Sequence, residues 1–547
     1  MQRKCTELQD ARRGSKAWWR EARKLARRSG PVSNIPALKS SAGWVKEPKA
    51  KADLFKQTFT SKFVVPDEII NDYSELPSQP TIEWEGAMRE ETAFHILFKL
   101  REDSATGPDG LPTRILKQLA AVLAPPVAML AAKILQEERW PEDWKLHWIV
   151  ALHKRSSVFE AKNYRGVHLT PQISKAVERM FADALKPFID RLDLFGTNQF
   201  AYAQGRGARD AVAFLTLTWI QAFEKQRKVG VFCSDVQGAF DRVRTVRIVE
   251  KLRCSGIPTK LVAVLASWLD TRRAQVVVEG QISDDAVLQN MVYQGTVLGP
   301  PLWNLFFRDA RAAVMAAKFE EVVYADDLNA YKEFDKVIEN EDIITECKNC
   351  QHHLHEWGKA NSVTFDPGKE SLHVLSRWDP MGEDFKILGI DFDLRLRMEP
   401  CIASTSTDAA WKINAVLKTR RFYSESELML LYKSQVLSYV EYRTPAIYHA
   451  CSTLLSRLDR QQRRFLRELD ISEEEALLTH NLAPLNSQRD IAMLGVIHRT
   501  VLGMGPPHFQ RFSSCEWRRW LSRSLARLSA GIASSSRTLG MARTQRC

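Results

Sequence analysis

A few patterns of apolar and polar positions organise this chain. Val322, Val323 and Tyr324 form a β-branched and aromatic run that stops at Asp326 and Asp327. Apolar and aromatic positions resume at Leu328, Ala330 and Tyr331, which predicts strand, tight turn, strand. Residues 228–235 form another apolar strand that ends in a carboxylate, Asp235, and Val236, Phe240 and Asp241 follow. Residues 149–154 and 163–169 predict an antiparallel pair. The turn cluster 106–112 precedes a helix over 113–123. Lys175, Val177, Glu178, Met180 and Leu185 fall on a helix, and a long helix ends near Lys228. A further helix spans 335–361, and from about 408 the chain is helical, with period 3.6 over 411–422, 428–448 and 454–469. Residues 5–29 read as a basic helix carrying Trp18 and Trp19, and 30–50, with several Pro, Ser and Gly, as a linker.

Charge changes this picture at the two ends. The chain has 547 residues and a net charge of +12. Residues 1–30 hold ten Lys and Arg against three acids, and 511–547 hold eight Arg against one Glu, so the stretch between them is close to neutral. Basic ends suit a polyanionic partner. The Ser- and Arg-rich tail reads as disordered. Nine Cys without disulfide spacing suit a reducing compartment. The N-terminus lacks the apolar segment of a secretory signal. The longest apolar run, 119–135, contains Pro125, Pro126 and Lys133 and reads as too short and broken to span a bilayer. The expected setting is intracellular, nuclear or cytoplasmic, neither secreted nor membrane-bound.

Candidate chemistry centres on the carboxylates. Two adjacent like charges at a hairpin tip repel, and a divalent cation compensates them; carboxylate oxygens suit Mg²⁺, with Mn²⁺ as the alternative. Asp284-Asp285 is a second such pair, in a polar stretch with no apolar run before it, and reads as a solvated turn. If the two carboxylate-ending strands are neighbours in one sheet, Asp235 lies beside Asp326. Three carboxylates can then hold two cations about 3.5–4 Å apart for in-line displacement at phosphorus. Cys347, Cys350, His352, His353 and His355 invite a zinc reading. Ile343, Ile344, Cys347, Cys350, Leu354 and Trp357 nevertheless have helical spacing and need no metal.

Several blocks together resemble a known family. Tyr324-Ala325-Asp326-Asp327 framed by apolar residues looks like motif C of reverse transcriptases, residues 235–241 like motif A, and Gln294-Gly295 with the Leu298-Gly299-Pro300 that follows like motif B. Their order and spacing match the non-LTR, LINE-like retrotransposon group, and the likeness covers roughly residues 80–500. It implies an α/β right-hand fold with fingers, an antiparallel-sheet palm backed by helices, and a helical thumb. The implied boundaries are 1–50 for the basic helix and linker, 51–200 for lead-in and fingers, 201–395 for palm, 396–510 for thumb and 511–547 for tail. It implies RNA-templated DNA synthesis from a DNA primer with dNTPs and two Mg²⁺ ions. Asp235, Asp326 and Asp327, with the Val236 carbonyl, would hold the metals. Lys369 of the motif D-like block 365–369 would act as general acid. Lys154 and Arg165 would bracket the triphosphate, and Gln294 and Gly295 would touch the nascent base pair. Phe240 would exclude a ribose 2′-hydroxyl, where RNA-dependent RNA polymerases typically carry Asp.

This sequence departs from the family's usual residues at Gly166 and Tyr293, where Pro is common, at Ala203, where a basic residue is common, and at Asp366 and Glu370, where Asn and Thr are. With Ala at 203, one template contact is either missing or supplied by Arg206. Two rival readings are an RNA-dependent RNA polymerase, opposed by Phe240 and Ala325, and a retroelement remnant retained for nucleic-acid binding, opposed by the intact triad, Lys369 and Gln294-Gly295. Neither end of the chain carries a recognisable nuclease pattern, so the expectation is a polymerase without its own endonuclease, dependent on one in trans.

Overall fold

The computed structural model describes residues 35–61, 84–154 and 156–512. The expected basic helix 5–29 and the tail beyond 512 lie outside them. The supposed linker instead carries a short hairpin, β1 (Leu38–Ser40) and β2 (Gly43–Val45), and then α1 (Pro48–Thr60), whose Pro occupies the first turn, where an N–H is unsatisfied anyway. Next come α2 (Glu90–Phe98), α3 (Thr113–Gln118) and α4 (Ala120–Glu137). The sequence reading broke the apolar run at its prolines, but α4 continues through Pro125 and Pro126. It is the one helix among the described residues long and apolar enough, by length and composition, to cross a membrane. Its buried face, Ala120, Ala124, Val127, Ala131 and Ile134, belongs to the main core.

The middle of the chain builds two sheets. In order come β3 (Leu146–His153), β4 (Tyr164–Leu169), α5 (Gln172–Arg191), α6 (Ala208–Glu224), β5 (Lys228–Asp235), α7 (Thr245–Arg253), α8 (Thr259–Leu269), β6 (Arg272–Val278), β7 (Gln281–Ile282) and β8 (Ala286–Leu288). Then follow α9 (Gly299–Phe307), α10 (Ala310–Ala316), β9 (Glu320–Tyr324), β10 (Asp327–Phe334), α11 (Asn340–Asn361) and β11 (Ser371–Leu375). One sheet has the order β4-β3-β6-β7, with β8 also on β6; β3 and β6 run parallel and the other pairs antiparallel. The other, β11-β5-β10-β9, is antiparallel throughout. A small hairpin, β12 (Phe385–Ile387) with β13 (Ile390–Phe392), leads into seven further helices: α12 (Glu399–Lys418), α13 (Glu425–Tyr432), α14 (Ser438–Tyr442), α15 (Thr444–Ile447), α16 (Ser452–Glu468), α17 (Glu473–His480) and α18 (Leu485–Val501).

The antiparallel sheet separates two apolar cores, and the strand period of two assigns residues to each. On β5, Val229, Val231 and Cys233 face the core shared with α6 and the C-terminal helices, whereas Phe232 faces the core shared with α11. On β10, Leu328 and Ala330 join the α11 side and Tyr331 the other. A sheet buried on both faces needs nearly continuous apolar strands, and residues 228–234 are buried without a break. The cysteines of α11 serve this packing: Cys347 and Cys350 are fully buried with Ile343 and Leu354, and burial pushes both thiols up to about 12.

Close approach of α11 to β5 depends on Gly230. A Cβ there would stand 2.8 Å from Ile343 Cγ2, 3.0 Å from Cys347 Sγ and 3.0 Å from the Phe334 ring. Gly230→Ala is therefore expected to lower stability by about 1–3 kcal/mol, the usual cost of overpacking. Urea unfolding checks this, and an unchanged midpoint would mean that the helix shifts freely.

Candidate active site

The motif C hairpin turns through Ala325 and Asp326, because Tyr324 and Asp327 are paired across it. Ala325 adopts φ +61°, a conformation that favours Gly at the first place of a two-residue hairpin loop. Its peptide groups are held from both sides. Gln199 Oε1 accepts from Ala325 N at 2.9 Å, and Trp303 Nε1 and Gln199 Nε2 donate to Ala325 O at 3.0 and 3.3 Å. These bonds offset a strain of about 1–2 kcal/mol. Neither Gln199 nor Trp303 stands out in the sequence, where the one sits in a polar block and the other reads as core.

The register brings the carboxylates together differently from expectation. The two strands are neighbours, but Asp327, the first residue of β10, lies directly opposite Asp235, the last of β5. Asp326 sits in the turn beside them. Directly opposed Cβ atoms in an antiparallel pair are about 4.5–5.5 Å apart, and like charges there repel. Burial and the Asp235 charge push Asp326 up to about 6. Burial, then Asp235 and Asp326, push Asp327 up to about 7. Lys369 reaches the opposite side of Asp235, its ammonium bonded to Asp235 Oδ2 and 3.7 Å from Asp366 Oδ2. The bond to Asp235 raises the Lys369 pKa, so this side chain is protonated at neutral pH.

The loop carrying Lys369 is anchored from beneath. Asp366 N donates to Asp235 O at 3.0 Å, and Val236 bridges to Phe365. Glu370 accepts from Ser234 Oγ at 3.0 Å and Gln351 Nε2 at 2.9 Å, and its Oε1 lies 2.9 Å from His355 Nε2. The carboxylate at 370 thus fastens the loop to β5 and α11.

Motif B lies against the other wall. His168 N, on β4, donates to Gln294 O at 2.8 Å, and Gln294 Nε2 donates to Asp241 Oδ1 at 3.2 Å. Gly295 has φ +99°, and a Cβ on it would stand 2.8 Å from His168 O, so both backbone angle and space require glycine. The Phe240 ring stacks on Trp303 at 5.7 Å, and Phe240 O accepts from Val292 N. Lys154 and Arg165 stand exposed on the β3–β4 hairpin.

All ten candidate residues, Lys154, Arg165, Asp235, Val236, Phe240, Gln294, Gly295, Asp326, Asp327 and Lys369, line one cleft of about 1380 Å³, with Tyr202 beside them. Asp284 lies elsewhere, largely exposed and 2.8 Å from Lys49. Arg206 is not a free cation for a template: it donates to the carbonyls of Thr197 at 2.6 Å and Gln199 at 3.1 Å and so holds the segment that carries Gln199.

Among the described residues no three His, Cys, Asp or Glu side chains are placed closely enough to hold a metal ion as they stand. The cleft is nevertheless suited to a hard cation in its donors: three carboxylates and nearby backbone carbonyls supply oxygen alone, and burial, then the neighbouring carboxylates, raise two of the carboxyls above their ordinary range. The residues present fit Mg²⁺ or Mn²⁺ better than zinc.

The profile of the reverse transcriptase (RNA-dependent DNA polymerase) family matches residues 152–392, a span that runs from the β3–β4 hairpin to β13 and contains every residue lining the cleft. Similar proteins include the probable RNA-directed DNA polymerase from transposon BS of Drosophila melanogaster, 25% identical over 58% of this chain and 37% of the relative. The RNA-directed DNA polymerase from mobile element jockey of the same fly is 27% identical over 56% of this chain and 35% of the relative. That from jockey of Drosophila funebris is 23% identical over 82% and 52%. The chain carries a reverse transcriptase domain. The relatives named are polymerases of transposons and mobile elements. The matches span little more than a third of the length of the first two relatives.

The crowded carboxylates make a stability prediction. Their pKa values in the folded chain lie above the ordinary value near 4, so folding takes up protons. Their contribution is most favourable at low pH and is lost as pH rises through about 6 to 7. Without metal, Asp327→Asn is expected to raise the melting temperature at pH 7.5 and to have a smaller effect at pH 5. Mg²⁺ at a hundredfold excess over Kd should stabilise the wild type by about 2.7 kcal/mol at pH 7.5. Calorimetry with EDTA and with Mg²⁺ measures both, and a destabilised variant at pH 7.5 in EDTA would contradict the account.

Proposed function

We propose that this chain is an RNA-directed DNA polymerase of a non-LTR element, which extends a DNA primer on an RNA template with dNTPs. The observation that carries the reading is the Asp235–Asp326–Asp327 cluster, crowded on neighbouring strands, in one cleft with Lys369 and Phe240. On this reading the β3–β4 region is the fingers, the antiparallel sheet the palm, and the helices from α12 onward the thumb.

Asp235, Asp326 and Asp327, with the Val236 carbonyl, would hold two Mg²⁺ ions, which supply activation of the primer 3′-hydroxyl and neutralisation of charge on the phosphates. Lys154 and Arg165 engage the triphosphate of the incoming nucleotide from the hairpin. Gln294 lies along the nascent base pair, and Gly295 lets the backbone approach it. Phe240, braced by Trp303, fills the space beside C2′ so that a ribose hydroxyl meets a ring instead of an acceptor. Lys369, protonated at neutral pH, donates its proton to the departing pyrophosphate. To the described residues we assign extension of a supplied primer.

Extension of oligo(dT) on poly(rA) tests the reading. Asp326→Asn should lose all measurable extension while melting as a folded protein, and Asp284→Asn should retain wild-type activity. Equal activity of wild type and Asp326→Asn would refute the assignment. Phe240→Ala should lower the ratio of dNTP to rNTP incorporation by about tenfold or more, since a site that rejects by filling space loses at least about 1.4 kcal/mol of discrimination when emptied. An unchanged ratio would mean that the sugar is read elsewhere.

A further inference from the structure

Behind motif B lies a buried charge that the polymerase reading does not use. Arg272, the first residue of β6, is fully buried, and no carboxylate forms an ion pair with it among the described residues. Its Nε donates to Trp268 O at 2.8 Å, and its Nη1 lies 2.6 Å from His147 Nε2. The guanidinium is 4.4 Å from the Trp268 ring and 4.8 Å from the Tyr293 ring. Glu178, also fully buried, adds a favourable field from nearby and accepts from Val297 N at 2.9 Å.

The hydrogen-bond directions in this cluster are fixed by chemistry. A guanidinium only donates. His147 Nε2 must therefore accept, which leaves the hydrogen on His147 Nδ1. That nitrogen lies 3.2 Å from His168 Nδ1, which must accept in turn. Burial and the Arg272 charge keep both rings neutral, His147 well below its ordinary range and His168 down to about 3. The chain Arg272→His147→His168 thus runs one way only.

It ends on motif B. The backbone N–H of His168 donates to Gln294 O, and its carbonyl abuts Gly295. Tyr293, the residue before Gln294, is fully buried, with ring centroids 5.0 Å from His147, 5.6 Å from His168 and 5.4 Å from Trp268. The turn into Gln294 and Gly295 is therefore braced by a tyrosine wedged into the cluster. A well-packed apolar cluster of the same size would stabilise the fold as well or better, so stability alone does not account for a buried arginine.

We propose that Arg272, acting through His147, His168 and Tyr293, is a positioning residue that fixes Gln294-Gly295 against the nascent base pair and thereby sets discrimination between paired and mispaired nucleotides. This rests on the polymerase reading. Arg272 does not line the cleft and acts through the residues between it and Gln294.

The test is single-nucleotide incorporation on a heteropolymeric RNA template, with enzyme concentration normalised by active-site titration. Arg272→Met and His147→Leu should raise KM for the correct dNTP and raise the ratio of mispaired to paired incorporation several-fold, with a much smaller change in kcat. His147→Gln, whose amide can accept from Arg272 and donate to His168, should restore the mispair ratio toward wild type. If Arg272→Met does not fold, Arg272→Lys, which keeps the charge but cannot reach both His147 and the Trp268 carbonyl, carries the same expectation. Folded, titrated variants with lower thermal stability but unchanged KM and mispair ratio would overturn the proposal and leave the cluster a purely structural one. A wild type that fails to extend would refute the polymerase reading and this inference with it; an active wild type with unaffected variants refutes this inference alone.

Discussion

Repulsion among Asp235, Asp326 and Asp327 is the constraint around which this fold is arranged. Asp235 and Asp327 face each other across two hydrogen-bonded strands, and Asp326 sits in the adjoining turn. No fold would gather these charges for stability, as the raised values of Asp326 and Asp327 attest. The surroundings must therefore hold the strands in place regardless of whether the charges are compensated. A sheet buried on both faces does this. Residues 228–234 have core on either side, α11 closes on Gly230, and Gln199 with Trp303 clamps the strained Ala325 peptide. Site and scaffold are thus opposed terms in one balance, and the scaffold is the larger.

The same economy explains the polar groups packed around the cleft. Glu370 fastens the Lys369 loop to β5 and α11, Arg206 holds the segment that carries Gln199, and His168 joins β4 to Gln294. Each ends on a residue that lines the cleft or on the segment that supports it. Glu370 is one of these supports, and Tyr293 packs against His168, another of them.

Much of this was legible in the sequence, because the site is built from short strands with strong local patterns. The apolar run into Asp326-Asp327, the strand ending at Asp235 and the glycine after Gln294 each carry their own signal, and all ten candidate residues reach one cleft. The spacing of Cys347 and Cys350 with Ile343 and Leu354 indicated a core helix, and that is where they lie. What escaped reading depends on register and long-range pairing. Strand patterning shows that two strands end in Asp but not which Asp stands opposite Asp235, since a shift of one residue exchanges them. The β6–β8 strands, the hairpin at 38–45 and the continuation of α4 through Pro125 and Pro126 are decided by tertiary contacts over local propensity. Gln199, Trp303 and Arg272 are ordinary polar or aromatic residues whose roles exist only once distant segments meet.

The central claim is that this cleft copies RNA into DNA, and the product itself tests it most directly. A heteropolymeric RNA with an annealed DNA primer, all four dNTPs, all four rNTPs and Mg²⁺ is incubated with the purified chain, and the extended strand is sequenced and treated with alkali. The account predicts an alkali-resistant strand complementary to the RNA and absent when EDTA is added. An alkali-labile product, or one whose sequence is independent of the template, would contradict it.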